Sequence, residues 1–164
     1  MNIIIVGAGK VGITIGEQLS SENHNITIID LNQKKVEEAE EKFDVMGVVG
    51  NGASYQVQME AGVMDAELLI AVTGADELNL LCCLIAKKAG KCQTIARVRN
   101  PIYSKEVNFI KRQMGLSVVI NPELAAAQEI SKLLRLPYAK KLMRDSNVDE
   151  VICATDAGRE GELI

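Results

Sequence analysis

The sequence predicts an α/β protein built on a doubly wound, six-stranded parallel sheet. Two observations predict it. Six short apolar runs, rich in β-branched residues, alternate with segments of helical periodicity. The first run ends in a glycine-rich turn that opens a helix, and the second ends at an aspartate. Strands that alternate with helices make βαβ units, and right-handed crossovers put the helices on both faces of the sheet.

The elements follow in order. Residues 3–6 (Ile-Ile-Ile-Val) are apolar throughout, as a strand buried on both faces must be. Gly7 ends that run. Residues 10–22 carry Val11, Ile15 and Leu19 at four-residue spacing, one face of a helix. The second strand is 26–29, ending at Asp30. Residues 32–42 form a polar helix whose wet side holds Glu37, Glu38, Glu40 and Glu41. The third strand is 46–49, closed by Gly50, Asn51 and Gly52, and Ser54 caps a helix running to about Ala61. The fourth strand, 68–72, leads through Thr73, Gly74, Ala75 and Asp76 into a helix that runs to about Lys88. A fifth strand at 94–98, a helix at 102–114 and a sixth strand at 117–120 follow. Pro122 opens the last helix, from Glu123 to about Leu136. No internal repeat occurs, and no linker precedes residue 137.

Composition excludes several function classes. Aromatic residues are 3% of the chain and Trp is absent, so base stacking on aromatic platforms loses support. The net charge of −4 argues against a basic nucleic-acid footprint. That charge is uneven: residues 145–164 carry net −5 and the rest +1. The four cysteines (82, 83, 92, 153) form no CxxC pair and His24 is the sole histidine, so a zinc site is not expected. Reduced core thiols in a cytosolic protein are. The start, Met1 to Val6, has no basic segment and no cleavage site, and the longest apolar run is far below the ~20 residues of a membrane span. A soluble protein follows, with no direct membrane insertion but free to dock on a membrane protein.

Gly7-Ala8-Gly9-Lys10-Val11-Gly12 matches GxGxxG in the context that pattern requires. It follows a strand, opens a helix, and is followed by Asp30 at the end of the next strand. Gly7 permits the tight turn, Gly9 lets backbone approach a pyrophosphate, and Gly12 lets the helix pack close. Free N–H groups at the helix start face the phosphates. Asp30 accepts from ribose hydroxyls, and its charge disfavours a 2′-phosphate, so NAD or an adenine nucleotide fits better than NADP. A tight turn without ligand is the alternative. Ligands of such sheets lie outside the carboxyl ends of the strands. There, Asn51, Gly52 and Ala53 follow the third strand and Thr73, Gly74 and Ala75 the fourth. Arg97 ends the fifth strand, where a guanidinium pairs with phosphate or with a surface acid. Glu123 follows the sixth strand, at a helix start that a carboxylate stabilises in any case.

No His, Lys or Cys reads as a hydride-relay acid or nucleophile, and no second domain offers a substrate site. A nucleotide-binding regulator is therefore expected, not an enzyme. A small NAD-dependent oxidoreductase is the alternative.

Residues 1 to about 137 resemble the N-terminal nucleotide-binding lobe of an RCK (KTN) domain, of the TrkA type found in regulators of bacterial potassium uptake. Four stretches carry the resemblance: Ile-Ile-Val-Gly-Ala-Gly-Lys-Val-Gly at 4–12, Val-Gly-Asn-Gly-Ala-Ser at 49–54, Ala-Val-Thr-Gly-Ala-Asp-Glu-Leu-Asn at 71–79 and Thr-Ile-Ala-Arg-Val-Arg-Asn-Pro at 94–101. The resemblance implies a Rossmann-like fold and a cytoplasmic homo-oligomer on the inner face of the membrane. It would gate a membrane potassium-translocating subunit according to bound NAD or NADH, or alternatively ATP or ADP. It implies that Gly7 to Gly12 hold phosphates and Asp30 the ribose. Asn51 to Ala53 and Thr73 to Ala75 would line the nucleotide, with Arg97 on its phosphate side. Glu123 matches a position near the phosphates that helps hold a divalent cation in some members. The helix after it resembles the family's crossover helix, which packs on a partner protomer; an ordinary core helix is the alternative.

The tail, 138–164, departs from that family. From about Lys140 it resembles a fragment of the TOPRIM segment of a type IA topoisomerase (topoisomerase III), with Asp156 and Glu160 at acidic positions and Gly158 in place of the second acid of Asp-x-Asp. So short a stretch cannot fold as that domain or cleave DNA. A fused reading frame or chance similarity accounts for it.

Overall fold

The computed structural model describes residues 1–135. The elements alternate without exception: β1 (Asn2–Val6), α1 (Lys10–Ser21), β2 (Asn25–Asp30), α2 (Gln33–Lys42), β3 (Val45–Val49), α3 (Tyr55–Glu60), β4 (Leu68–Ala71), α4 (Asp76–Ala89), β5 (Gln93–Arg97), α5 (Pro101–Met114), β6 (Val118–Ile120) and α6 (Pro122–Arg135). The six strands form one parallel sheet in the order β3-β2-β1-β4-β5-β6. The predicted doubly wound, Rossmann-like architecture is present. Boundaries moved by a residue or two. One shift has a chemical cause: Ser117 stays outside β6, where its Oγ accepts the Thr94 N–H at 3.1 Å and its N–H donates to Thr94 Oγ1 at 3.2 Å. Side-chain oxygens there replace the ladder partners.

Alternation along β1 divides its side chains between two cores. Ile3 and Ile5 join Ile26, Ile28, Ile70 and Val72 on one face, against Ile13, Ile15 and Leu19 of α1. Ile4 and Val6 join Ile29, Leu69 and Ala71 on the other, against Cys82, Cys83 and Ala86 of α4. A strand with both faces covered is apolar nearly throughout, which is why 3–6 reads as an unbroken run. Cutting Ile5 or Ile28, both fully buried, to alanine costs about 2–5 kcal/mol. Side-chain caps hold three of the helices, that of Ser54 as the sequence predicts. Ser54 accepts the Val57 N–H, Asn32 the Lys35 N–H and Asn100 the Ile102 N–H.

One compact unit runs Met1–Glu123 and a second begins at Leu124. The domain boundary expected near 137 and the tail beyond it lie outside the described residues. No described helix is long and apolar enough to cross a membrane.

Candidate functional site

The sheet reverses its winding between β1 and β4: the chain works outward from β1 to β3, then returns to start β4 on the other side. The loops leaving β1 and β4 therefore diverge to opposite faces and leave a crevice at their carboxyl ends. A cleft of about 330 Å³ lies there. Of the predicted residues, Gly7, Asp30, Asn51, Gly52, Thr73, Gly74 and Ala75 line it.

The glycine turn is shaped by hard sterics. Gly7 has φ +108°, and a Cβ on it would lie 3.0 Å from the Thr73 nitrogen. A Cβ on Gly12 would lie 1.8 Å from the Gly7 carbonyl oxygen. The first turn of α1, with Lys10 and Val11, thus sits directly on the loop it follows. Gly9 differs. Its φ of −79° suits any residue, and a Cβ there would meet no protein atom within 4 Å. Nothing inside the described chain requires glycine at 9, whereas a ligand approaching the helix start would.

Asp30 is bound more tightly than a strand-end position suggests. Its Oδ2 accepts the Ala8 N–H at 2.7 Å and its Oδ1 the Asn32 N–H at 2.8 Å. The carboxylate pins the glycine loop to the end of β2, and each oxygen keeps a lone pair for another donor. Leu31, 70% exposed, lines the cleft beside it. On the β3 side, Asn51 Oδ1 accepts the Ala53 N–H at 3.0 Å, and Ala53 packs against the core.

The opposite wall is the turn after β4. Asn79, fully buried on α4, accepts the Thr73 N–H at 2.8 Å and the Thr73 hydroxyl at 2.7 Å. Its amide donates to the Arg97 carbonyl at 2.9 Å. Asp76 receives the backbone N–H groups of Arg99 and Asn100 on one oxygen, at 2.8 and 2.7 Å. Gln58, also fully buried, donates to the Gly52 and Cys82 carbonyls at 2.7 and 2.9 Å. Tyr103 donates to Glu77 at 2.7 Å, joining α5 to α4. That bond holds the Glu77 carboxyl below its ordinary range and pushes the Tyr103 phenol up.

Arg97 and Glu123 are brought together, though not into the cleft wall. Arg97 Nη2 donates to Glu123 Oε1 at 3.1 Å. The arginine side chain is 14% exposed, the glutamate 57%. Arg97 Nε is buried without a hydrogen-bond partner among the described residues. The cation thus keeps a buried donor without a partner among the described residues, and a mostly solvated carboxylate holds it.

Three of the four cysteines lie in the core as expected, and Cys153 lies outside the described residues. Cys82, Cys83 and Cys92 are free and buried. Desolvation pushes the Cys82 thiol up to about 12 and Cys83 higher still.

Sequence reasoning did not single out Asn79, Asp76, Gln58 or Leu31. The first two stand in the stretch 71–79 that carried the resemblance. Leu31 had a usable signal: an apolar residue in a polar loop, directly after the strand-end acid.

Residues 3–122 match the family described as TrkA-N domain. A Trk system potassium uptake protein TrkA homolog of Archaeoglobus fulgidus is 40% identical over 139 residues, 85% of this chain and 31% of its own. The TrkA of Haemophilus influenzae is 35% identical over 167 residues, all of this chain and 36% of its own. The chain thus spans about a third of the length of these relatives. The second alignment includes the tail, whose likeness to a topoisomerase gains no support. Among solved structures, the TrkA-N domain of the inner membrane protein ybaL from Escherichia coli superposes with a TM-score of 0.72 at 25% identity, covering 82% of this chain and 96% of that one. The GsuK channel bound to NAD superposes with a TM-score of 0.62 at 24% identity, covering 73% of this chain and 21% of that one.

Proposed function

The chain belongs to the TrkA-N domain family, and we propose that it is the nucleotide-reading part of a potassium-transport regulator. The observation that carries this reading is the cleft at the β1/β4 switch point, lined by Gly7 of the glycine loop and by Asp30, which bonds that loop. The ligand is NAD or NADH, alternatively ATP or ADP. Its phosphates lie against the amides at the start of α1 and beside Gly9. Its ribose hydroxyls donate to the free lone pairs of Asp30, and Leu31 offers apolar surface to a base. The predicted lining, Asn51 to Ala53 and Thr73 to Ala75, borders the same ligand. Arg97 exchanges Glu123 for a phosphate, which would satisfy its buried Nε. Solved neighbours bound to NAD and to ADP support the ligand class.

A regulator must bind its ligand unequally in two states, or the ligand shifts nothing. We assign the second state to an assembly, a homodimer or higher oligomer joined through the helix from Glu123. The partner is a membrane potassium-translocating subunit, with this chain on the cytoplasmic side. The names of the relatives, potassium uptake proteins, support a regulatory reading over the alternative of a small NAD-dependent oxidoreductase. Calorimetric titration with NAD, NADH, ATP and ADP is the test. Saturable binding of at least one at micromolar concentration is expected. Binding of none, or sustained NADH consumption with carbonyl substrates, overturns it.

A further inference from the structure

The turn after β4 is held from behind. The Gly74 carbonyl accepts from Arg99 Nη2 at 2.9 Å. The peptide joining Gly74 to Ala75 is trans, so the Ala75 N–H points away from that carbonyl. It meets Thr73 Oγ1 at 3.3 Å, at the long limit of a hydrogen bond. Thr73 and Ala75 both line the cleft. Arg99 therefore stands on one side of this peptide and a cleft-lining hydroxyl on the other.

Two neighbours are fixed and one is not. Thr73 is locked by Asn79 through two short bonds. Arg99 is anchored through its own N–H to Asp76 Oδ2, and its Nε lies 4.0 Å from Asp76 Oδ1. Gly74 brings no side chain to restrain its peptide, and a Cβ there would meet no protein atom within 4 Å. A flip of the peptide between 74 and 75 would leave Thr73 in place and turn a carbonyl where an N–H had been.

We propose that Arg99 is a positioning residue for nucleotide binding. It fixes the peptide between Gly74 and Ala75 so that the Ala75 N–H is offered, beside the Thr73 hydroxyl, to an oxygen of the bound nucleotide. The proposal rests on the nucleotide reading above. It gives the second arginine of Arg97-Val98-Arg99 a role distinct from the first. Arg97 meets charge, and Arg99 sets the direction of a neutral donor.

The experiment uses the whole chain with Arg99→Ala and Arg99→Lys. Affinity for NAD and ADP is measured by calorimetry across a range of NaCl concentrations, and the Ala75 amide resonance is followed by NMR before nucleotide is added. Arg99→Ala should bind both nucleotides roughly five- to tenfold more weakly, the loss expected for one well-made hydrogen bond. Its salt dependence should match the parent's, and the Ala75 resonance should move in the nucleotide-free protein. Arg99→Lys, which keeps a donor but not the planar fork, should recover part of the affinity. A flatter salt dependence would make Arg99 a direct phosphate contact and overturn the proposal. Unchanged affinity or an unmoved Ala75 resonance would overturn it too. If the parent binds neither nucleotide, the functional reading fails, and the Ala75 resonance alone decides whether Arg99 holds this peptide.

Discussion

Replacing Asp30 by alanine removes an acceptor that serves two masters. In the free protein, one oxygen takes the Ala8 N–H at 2.7 Å and the other the Asn32 N–H at 2.8 Å. Hydrogen bonds to a charged group contribute roughly 1.5–3 kcal/mol when buried. Asp30 is half-buried and its second bond is exposed, so about 2 kcal/mol for the pair is the reasonable sum. For a chain of this size that lowers the melting temperature by about 4–8 °C. Loss of the ribose acceptor should weaken NAD and ADP binding about ten- to a hundredfold, by the same per-bond magnitude. Asp30→Asn keeps one acceptor oxygen, so it satisfies one of the two amides and should lose about half the stability. Thermal melts and calorimetric titration of both variants separate the two effects. Lower stability with unchanged affinity would confine Asp30 to the loop. An Asp30→Ala protein that melts with the parent and binds equally would refute both roles.

Gly9→Val should fold normally, since φ −79° and open surroundings accept it, yet lose nucleotide binding by more than about tenfold; intact binding would show that no phosphate approaches there. Gly12→Ala should instead destabilise by about 3 kcal/mol or more in urea melts, because its Cβ falls 1.8 Å from the Gly7 carbonyl oxygen. Glu123→Gln should raise ADP affinity in the absence of divalent cations by roughly threefold, since Arg97 no longer holds a competing exposed carboxylate; a decrease would assign Glu123 to the ligand. The buried thiols set an alkaline limit. Cys82 stays protonated in the fold up to about 12, while the unfolded chain ionises near 9.0. Above that value the unfolded state binds fewer protons, so stability from this group is whole below pH 9 and falls between about pH 9 and 12. Denaturant midpoints measured from pH 7 to 11 check it, and a rising midpoint above pH 9 would contradict it.

Much of the fold was legible because a strand covered on both faces leaves few positions for a polar residue, Thr27 and Thr94 being the buried exceptions in β2 and β5. The runs 3–6, 26–29 and 68–72 announce themselves, and the glycine turn marks where the first helix must start. The placing of Asp30 and the glycine turn at neighbouring strand ends was legible because backbone geometry constrains them locally. The far wall was less so. Asn79 is polar in an apolar helix, and only its meeting with Thr73 and the Arg97 carbonyl shows that it fixes a loop. Asp76 reads as an ordinary first-turn acid until the amides of Arg99 and Asn100 are found on it. Apart from Thr73, six residues from Asn79, such partners lie about twenty residues apart in sequence, and no periodicity encodes them. Arg97 was placed correctly at a strand end and Glu123 at the helix start after β6, but their mutual bond depends on the register of β5 against β6.

The central place of β1 also bears on how the chain folds. Ile3 registers with Ile26 on one side and with Leu68 on the other. Closing the longer of these loops costs about 0.9 kcal/mol more chain entropy than the shorter, so the seam between β1 and β4 is the slower pairing to form. The cleft straddles that seam. A transition state that has joined β1 to β2 but not yet to β4 has no site to offer. A nucleotide bound there should then act as a brake on unfolding and leave the refolding rate unaltered, so that the lifetime of the folded chain, and not only its population, would depend on that ligand.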